Sequence, residues 1–251
     1  MKWKKRLKRE LAFHKEFEDL SIQEINERIS QTKLLSDNYD TVCSLDLPHY
    51  CSGATSSCGG EQGWCYTFQG FQSLDNHLRK TSFLDFCIKF HLGSVVHKIL
   101  GELSVLVDKK LIPYPNLRYS GSGELTAHHI PLLRKLSDNS IHVWGFTKNL
   151  DIAIELHKVG ISVIFSYDKT SDLKMVNRAH LEGIPLAYTS EGVEDSPAFD
   201  TAVVFPLHRG GKVKEIVEHE RLCPKVVEEF LGGKRQASSC QIHCTRCHKL
   251  G

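Results

Sequence analysis

Seven of the nine cysteines fall into two sets whose spacing suits a soft metal centre. The first set is Cys51-x6-Cys58-x6-Cys65, followed by Tyr66, and the second joins Cys223-Pro224 to Cys240-x3-Cys244-x2-Cys247. Thiolates at such short intervals let a loop wrap an ion or a cluster, and iron–sulfur clusters and zinc are the usual occupants. The second set is the more specific, because bacterial ferredoxins also combine a Cys-Pro ligand with closely spaced cysteines, in another order. Four cysteines saturate a [4Fe-4S] cluster, whereas three leave one iron open to a substrate or cofactor. Zinc is the rival, since sites of four cysteines or of three cysteines and a histidine are common, and His49, His243 and His248 lie near enough in sequence to serve. A pair of zinc sites more usually shows two C-x2-C steps, and only Cys244 and Cys247 make one. Iron–sulfur is the expectation and zinc the alternative; whether the two sets build one centre or two stays open. Cys87, at helical spacing from Phe83 and Phe90, reads as a small core hydrophobe. Cys43 reads as a buried thiol, with a spare ligand as its alternative.

A second group of candidates follows the predicted strands. Ser120-Gly121-Ser122-Gly123-Glu124, Thr147-Lys148-Asn149, Ser166-Tyr167-Asp168, Thr189-Ser190-Glu191 and His208-Arg209-Gly210 all stand where a strand should end. Gly121 and Gly123 permit tight turns and close backbone approach to a ligand. Turns use Gly, Ser, Asn and Asp anyway, so any one of these sites has a plain structural explanation. Five facing the same rim argue for a ligand, and Gly121, Ser122, Gly123, Glu124, Thr147, Lys148 and Ser166 are the candidate cofactor-binding residues. Glu124 has its own alternative, an exposed acid opening a helix at 127–136, favoured by the helix dipole alone. No residue is named as catalytic.

The elements that would position these groups are legible from periodicity. Residues 1–40 are rich in Lys, Arg and Glu, with Leu7, Leu11, Phe13, Phe17 and Leu20 at helical spacing, and read as an arm of one or two amphipathic helices. From Cys43 to Gly70 no apolar period survives, so 41–70 reads as a cysteine loop. A helical stretch spans about 75–107, with a break at Gly93. Strands are expected at 117–120, 141–146, 161–166, 184–188 and 202–206, and helices at 127–136, 150–159 and near 172–181. Such alternation means a parallel sheet with crossover helices, here a partial (β/α)6 TIM-like barrel over 71–210, followed by a cysteine-rich cluster-binding tail at 211–251.

The bulk numbers agree with a soluble α/β protein. Hydrophobic residues make up 41% and charged residues 25% of the 251, and the formal net charge is +2, which argues against a generally basic nucleic-acid binder. No apolar run of membrane-spanning length occurs, and the charged start from Lys2 to Arg9 lacks a signal-peptide core, so a cytoplasmic location without membrane contact is expected. A reducing compartment makes structural disulfides unexpected and turns the cysteines toward metal ligation.

Several motifs in order resemble the phage "gene product eighty-eight" family of phage and bacterial genomes, over about Cys51 to Cys247. They are the spaced cysteines ending in Cys65-Tyr66, the segment Arg118-Tyr119-Ser120-Gly121-Ser122-Gly123-Glu124, the segment Trp144-Gly145-Phe146-Thr147-Lys148, and Cys223-Pro224 with its close triplet. The chain departs from that family in placing Ser122-Gly123 before its acid, and in the spacing of the terminal triplet. The layout is similar, more distantly, to radical S-adenosylmethionine enzymes, which place three cysteines before a partial (β/α)6 barrel and a Gly-Gly-Glu-like turn after the next strand. The N-terminal spacing here differs from their C-x3-C-x2-C. The resemblance implies an open cluster on Cys51, Cys58 and Cys65, an auxiliary cluster on Cys223, Cys240, Cys244 and Cys247, S-adenosylmethionine held near Glu124, and an external electron donor. Its substrate, small or macromolecular, is not disclosed. The competing reading is a non-catalytic iron–sulfur or zinc module that binds nucleic acid through Lys2 to Arg9 and Lys234-Arg235, with salt-dependent affinity.

Overall fold

The computed structural model describes residues 2–38, 42–48, 55, 75–112, 114–120, 123–190, 197–199 and 203–206. All seven clustered cysteines, with Gly121, Ser122 and the segments from Glu191 and His208, lie outside the described residues. The protein is a mixed α/β structure with mostly parallel strands and interleaved helices, in two compact units. The first comprises Met1–Ser52 and Cys65–Gly145, the second Gly53–Trp64 and Phe146–Gly251.

The first unit opens with helices α1 (Lys2–Glu18) and α2 (Ile22–Gln31). Ser21 starts α2 through a reciprocal cap: its Oγ accepts Glu24 N–H at 3.3 Å, and Glu24 Oε2 accepts Ser21 N–H at 2.8 Å. Strands β1 (Leu35–Asn38) and β2 (Val42–Leu45) then pair antiparallel. Helices α3 (Asp75–Phe90) and α4 (Leu92–Asp108) follow, and β3 (Asn116–Tyr119) runs parallel to β2. A 3-10 turn (Ala127–His129) leads into α5 (Ile130–Asp138), with Pro131 in its first turn, where a missing N–H is harmless. Strand β4 (His142–Thr147) lies parallel to β3 from Asn116↔His142 to Tyr119↔Gly145. Phe17, Ile25, Ile29, Leu78, Leu84, Ile99, Leu103 and Leu117 are buried in this unit. Phe17 of α1 packs edge-on against Phe83 of α3, with centroids 5.2 Å apart.

The second unit contains α6 (Leu150–Lys158), β5 (Ser162–Asp168), α7 (Leu173–Leu181), β6 (Leu186–Ser190) and β7 (Val203–Pro206). β5 pairs with β6 and β6 with β7, both parallel. Asn149 caps α6 by accepting Ile152 N–H at 3.3 Å, and Asp172 caps α7 by accepting Lys174 N–H at 2.9 Å. β5 is buried at Val163, Ile164, Phe165, Tyr167 and Asp168, a near-continuous run of the kind parallel strands covered on both faces require.

One device ends four of the helices. After α4, α5, α6 and α7 a residue turns left-handed: Lys110 (φ 56°), Ser140 (φ 62°), Gly160 (φ 74°) and Gly183 (φ 75°). The next N–H then reaches back, as in Ile141→Leu136 O (3.2 Å), Ile161→Leu156 O (3.0 Å) and Ile184→Ala179 O (3.0 Å). These bonds satisfy the last helical carbonyls and aim the chain into the following strand.

Three expectations need correction. Residues 42–45, read as the start of a loop, form β2, and β1 was not foreseen. The long helix breaks at His91, not at Gly93, which lies inside α4. The helix read at 127–136 starts as a 3-10 turn and becomes α-helical only at Ile130. Among the described residues no helix is long and apolar enough to cross a membrane.

Candidate functional site

In the first unit, the turn after β3 holds the most constrained polar residues. Ser120 adopts φ 52°, a conformation that costs a non-glycine residue on the order of 1–2 kcal/mol. Its hydroxyl is buried without a hydrogen-bond partner among the described residues. Gly123 is left-handed at φ 83°, and a Cβ there would stand 1.9 Å from the Leu47 carbonyl oxygen, so only glycine fits. Glu124 N–H then donates to Pro48 O at 3.1 Å, locking the turn against the chain leaving β2. Glu124 is buried, not the exposed helix-opening acid of the plain alternative, and its Oε1 accepts Leu125 N–H at 3.0 Å. Burial and the Glu124 charge together raise the neighbouring Tyr119 hydroxyl well above the usual tyrosine value. Trp144 in β4 is buried too, with its indole N–H donating to Asn116 Oδ1 at 2.8 Å.

In the second unit, Asp168 closes β5, and its carboxylate gathers donors from three residues. Lys148 Nζ lies 2.9 Å from its Oδ2, which also accepts the Thr55 hydroxyl. Oδ1 accepts Thr170 N–H at 2.9 Å and the Thr170 hydroxyl at 2.7 Å, while Ser171 Oγ accepts Asp168 N–H at 2.9 Å. Burial raises the Asp168 carboxyl, but Lys148 and the Thr55 and Thr170 hydroxyls outweigh it and hold the group below its ordinary value. Lys148 thus spends its ammonium on Asp168. Thr147 Oγ1 accepts Asn149 N–H at 3.0 Å. Ser166 lies inside β5, in register with Ala187, two residues before the strand's end and not at it as expected.

A further group in the first unit was not foreseen. Asp85, almost fully buried in α3, points one carboxylate oxygen at two histidines of the 3-10 turn: His128 Nε2 is 2.7 Å and His129 Nε2 2.6 Å from Oδ1. His14 of α1 brings its Nε2 to 3.1 Å from Oδ2. Thr126 holds the far side of both rings, its Oγ1 lying 2.7 Å from His128 Nδ1 and 3.2 Å from His129 Nδ1, with its N–H 3.0 Å from His129 Nδ1. Burial would raise the Asp85 carboxyl, but the contacts with His128, His129 and His14 prevail and hold it far below the ordinary range. Burial likewise dominates at His129 and lowers its value despite Asp85. The signal in the sequence was Asp85 itself, an acid between Leu84 and Phe86 in an otherwise apolar helix segment.

Cys43 in β2 and Cys87 in α3 are buried, as expected, and burial pushes the Cys87 thiol up to about 12. No protein-family model, no curated protein and no solved structure matches the chain.

Proposed function

We propose that this chain is an iron–sulfur protein of the radical S-adenosylmethionine-like kind. Cys51, Cys58 and Cys65 hold a [4Fe-4S] cluster with one open iron, and Cys223, Cys240, Cys244 and Cys247 hold a second, saturated cluster. On this reading the parallel strands and interleaved helices belong to a partial (β/α)6 barrel. The cysteine spacing in the sequence argues for the clusters; the single structural observation that supports a cofactor is the turn after β3.

That turn keeps an unusual set of properties together: a left-handed Ser120 whose buried hydroxyl has no partner among the described residues, a glycine that admits no side chain, and a buried Glu124. Backbone strain of this kind persists where the surrounding structure enforces it, and such places are often ligand clamps. The residues fit the methionyl end of S-adenosylmethionine. Glu124 supplies a carboxylate for its ammonium, and Ser120 a hydroxyl that donates to its carboxylate. Once bound and reduced by one electron, the cofactor supplies a 5′-deoxyadenosyl radical; the chain's part is to orient it and exclude water.

Electron paramagnetic resonance of the reduced protein tests this reading. Adding S-adenosylmethionine should change the signal of one cluster only, and Cys58→Ala should abolish that response while sparing the other cluster. Glu124→Gln should weaken cofactor binding by roughly ten- to a hundredfold, the value of one charge-assisted contact, with iron content unchanged. A signal indifferent to the cofactor contradicts the reading, and loss of both signals in Cys58→Ala points to one shared centre.

A further inference from the structure

We propose that Asp85, His128 and His129 form a separate mononuclear site for a divalent transition-metal ion of the zinc type, independent of the clustered cysteines. Their ligand atoms all lie within 4.8 Å of one another. Both imidazoles aim Nε2 at the same Asp85 oxygen, at 2.7 and 2.6 Å, so a modest outward shift of the rings opens a common point for one ion. Two nitrogens and one carboxylate oxygen suit zinc and its neighbours, whose bonds to such ligands are about 2.0–2.2 Å, and do not suit magnesium or calcium, which prefer oxygen alone.

An independent observation points the same way. His14 arrives from a different helix and places a buried Nε2 3.1 Å from Asp85 Oδ2, yet that nitrogen makes no aligned hydrogen bond among the described residues. A third imidazole nitrogen beside the same carboxylate adds one more potential ligand to the group. Asp85 is almost fully buried, and a buried carboxylate is costly unless it is hydrogen-bonded or paired with positive charge. The outer contacts also match a metal site, where ligating histidines are oriented by partners on their other ring nitrogen. Thr126 fills that role for both rings. On metal binding each ring carries its proton on Nδ1, and Thr126 Oγ1 accepts it, replacing the present bond from Thr126 N–H to His129. Three protein ligands leave a position for water or substrate, and the partly exposed His128 lies toward solvent.

Cobalt(II) titration of the full chain, purified anaerobically, separates this site from the cysteines. Cobalt on nitrogen and oxygen ligands gives visible d–d bands alone, whereas cobalt on thiolates adds near-ultraviolet charge transfer. Wild-type protein should bind one more cobalt ion than His128→Ala, with the thiolate bands equal in the two; His128→Gln, closer in shape, should show the same deficit and guards against a folding artefact. Residual affinity at the site should fall by roughly 100-fold or more, the upper end of what loss of even an outer partner costs. Equal cobalt stoichiometry and affinity in wild type and both variants overturns the proposal, as does uptake accompanied only by thiolate bands. Neither result bears on the cluster reading, which is judged by iron and sulfide.

Discussion

Two residues in the described structure should be intolerant of small changes, for different reasons. Gly123 is fixed by geometry: its left-handed backbone and the Leu47 carbonyl leave no room for a methyl group. Gly123→Ala should destabilise the first unit by about 1–3 kcal/mol or more, read as a lower denaturant midpoint with an unchanged slope. Asp168 is fixed by charge. Its folded carboxyl value lies below the ordinary one of about 3.9, so the stabilisation it brings is fully present above about pH 4 and is lost as pH falls through the lower folded value. Lys148→Met leaves a buried carboxylate without its cation and should cost about 3–5 kcal/mol at neutral pH, shrinking in acid as Asp168 takes up a proton. Denaturation at neutral pH and at about pH 4 checks the sign: a loss that grows on acidification would contradict the pairing. The buried acid at Asp85 was visible as a residue type in the sequence, but its partners were not. His128 and His129 are 43 and 44 positions away, and nothing local says that α3 and the 3-10 turn converge.

At the scale of elements, periodicity served well where the chain alternates helix and strand. From β3 to β6, apart from the start of α5, the observed bounds lie within about two residues of those read from apolar patterns, because buried parallel strands and amphipathic helices leave strong signatures. It failed at β1 and β2. Leu35-Ser36-Asp37-Asn38 contains two residues that strands disfavour, and Val42-Cys43-Ser44-Leu45 opens a cysteine-rich stretch whose composition hid its pairing. The shared helix ending offers a direct test. Ser140 does in an exposed position, at φ 62°, what Gly160 and Gly183 do without a Cβ. Ser140→Gly should therefore raise stability by about 1 kcal/mol, seen as a higher melting temperature, and no gain would mean that Ser140 has a compensating contact. At the junction of α1 and α3, Phe17→Ala should cost about 3–5 kcal/mol, because Phe17 is buried against Phe83 and Phe86. Hydrogen exchange should then speed up first in α1.

At the scale of the molecule, the chain joins cysteine-rich segments in sequence to α/β units whose described residues carry a strained polar turn, a buried Lys148–Asp168 pair and a histidine-ringed Asp85. Cysteine spacing was legible because thiolate chemistry is local in sequence, whereas the turn after β3 was legible only as a run of Ser and Gly. Its strain and burial depend on the contact with Leu47 and Pro48, which no motif announces. The central claim is that the cysteines hold iron–sulfur clusters, and iron and acid-labile sulfide analysis of anaerobically purified protein tests it most directly. Brown protein with about eight atoms of each per chain is the expected result for two cubane clusters; colourless protein carrying zinc and no sulfide would contradict it.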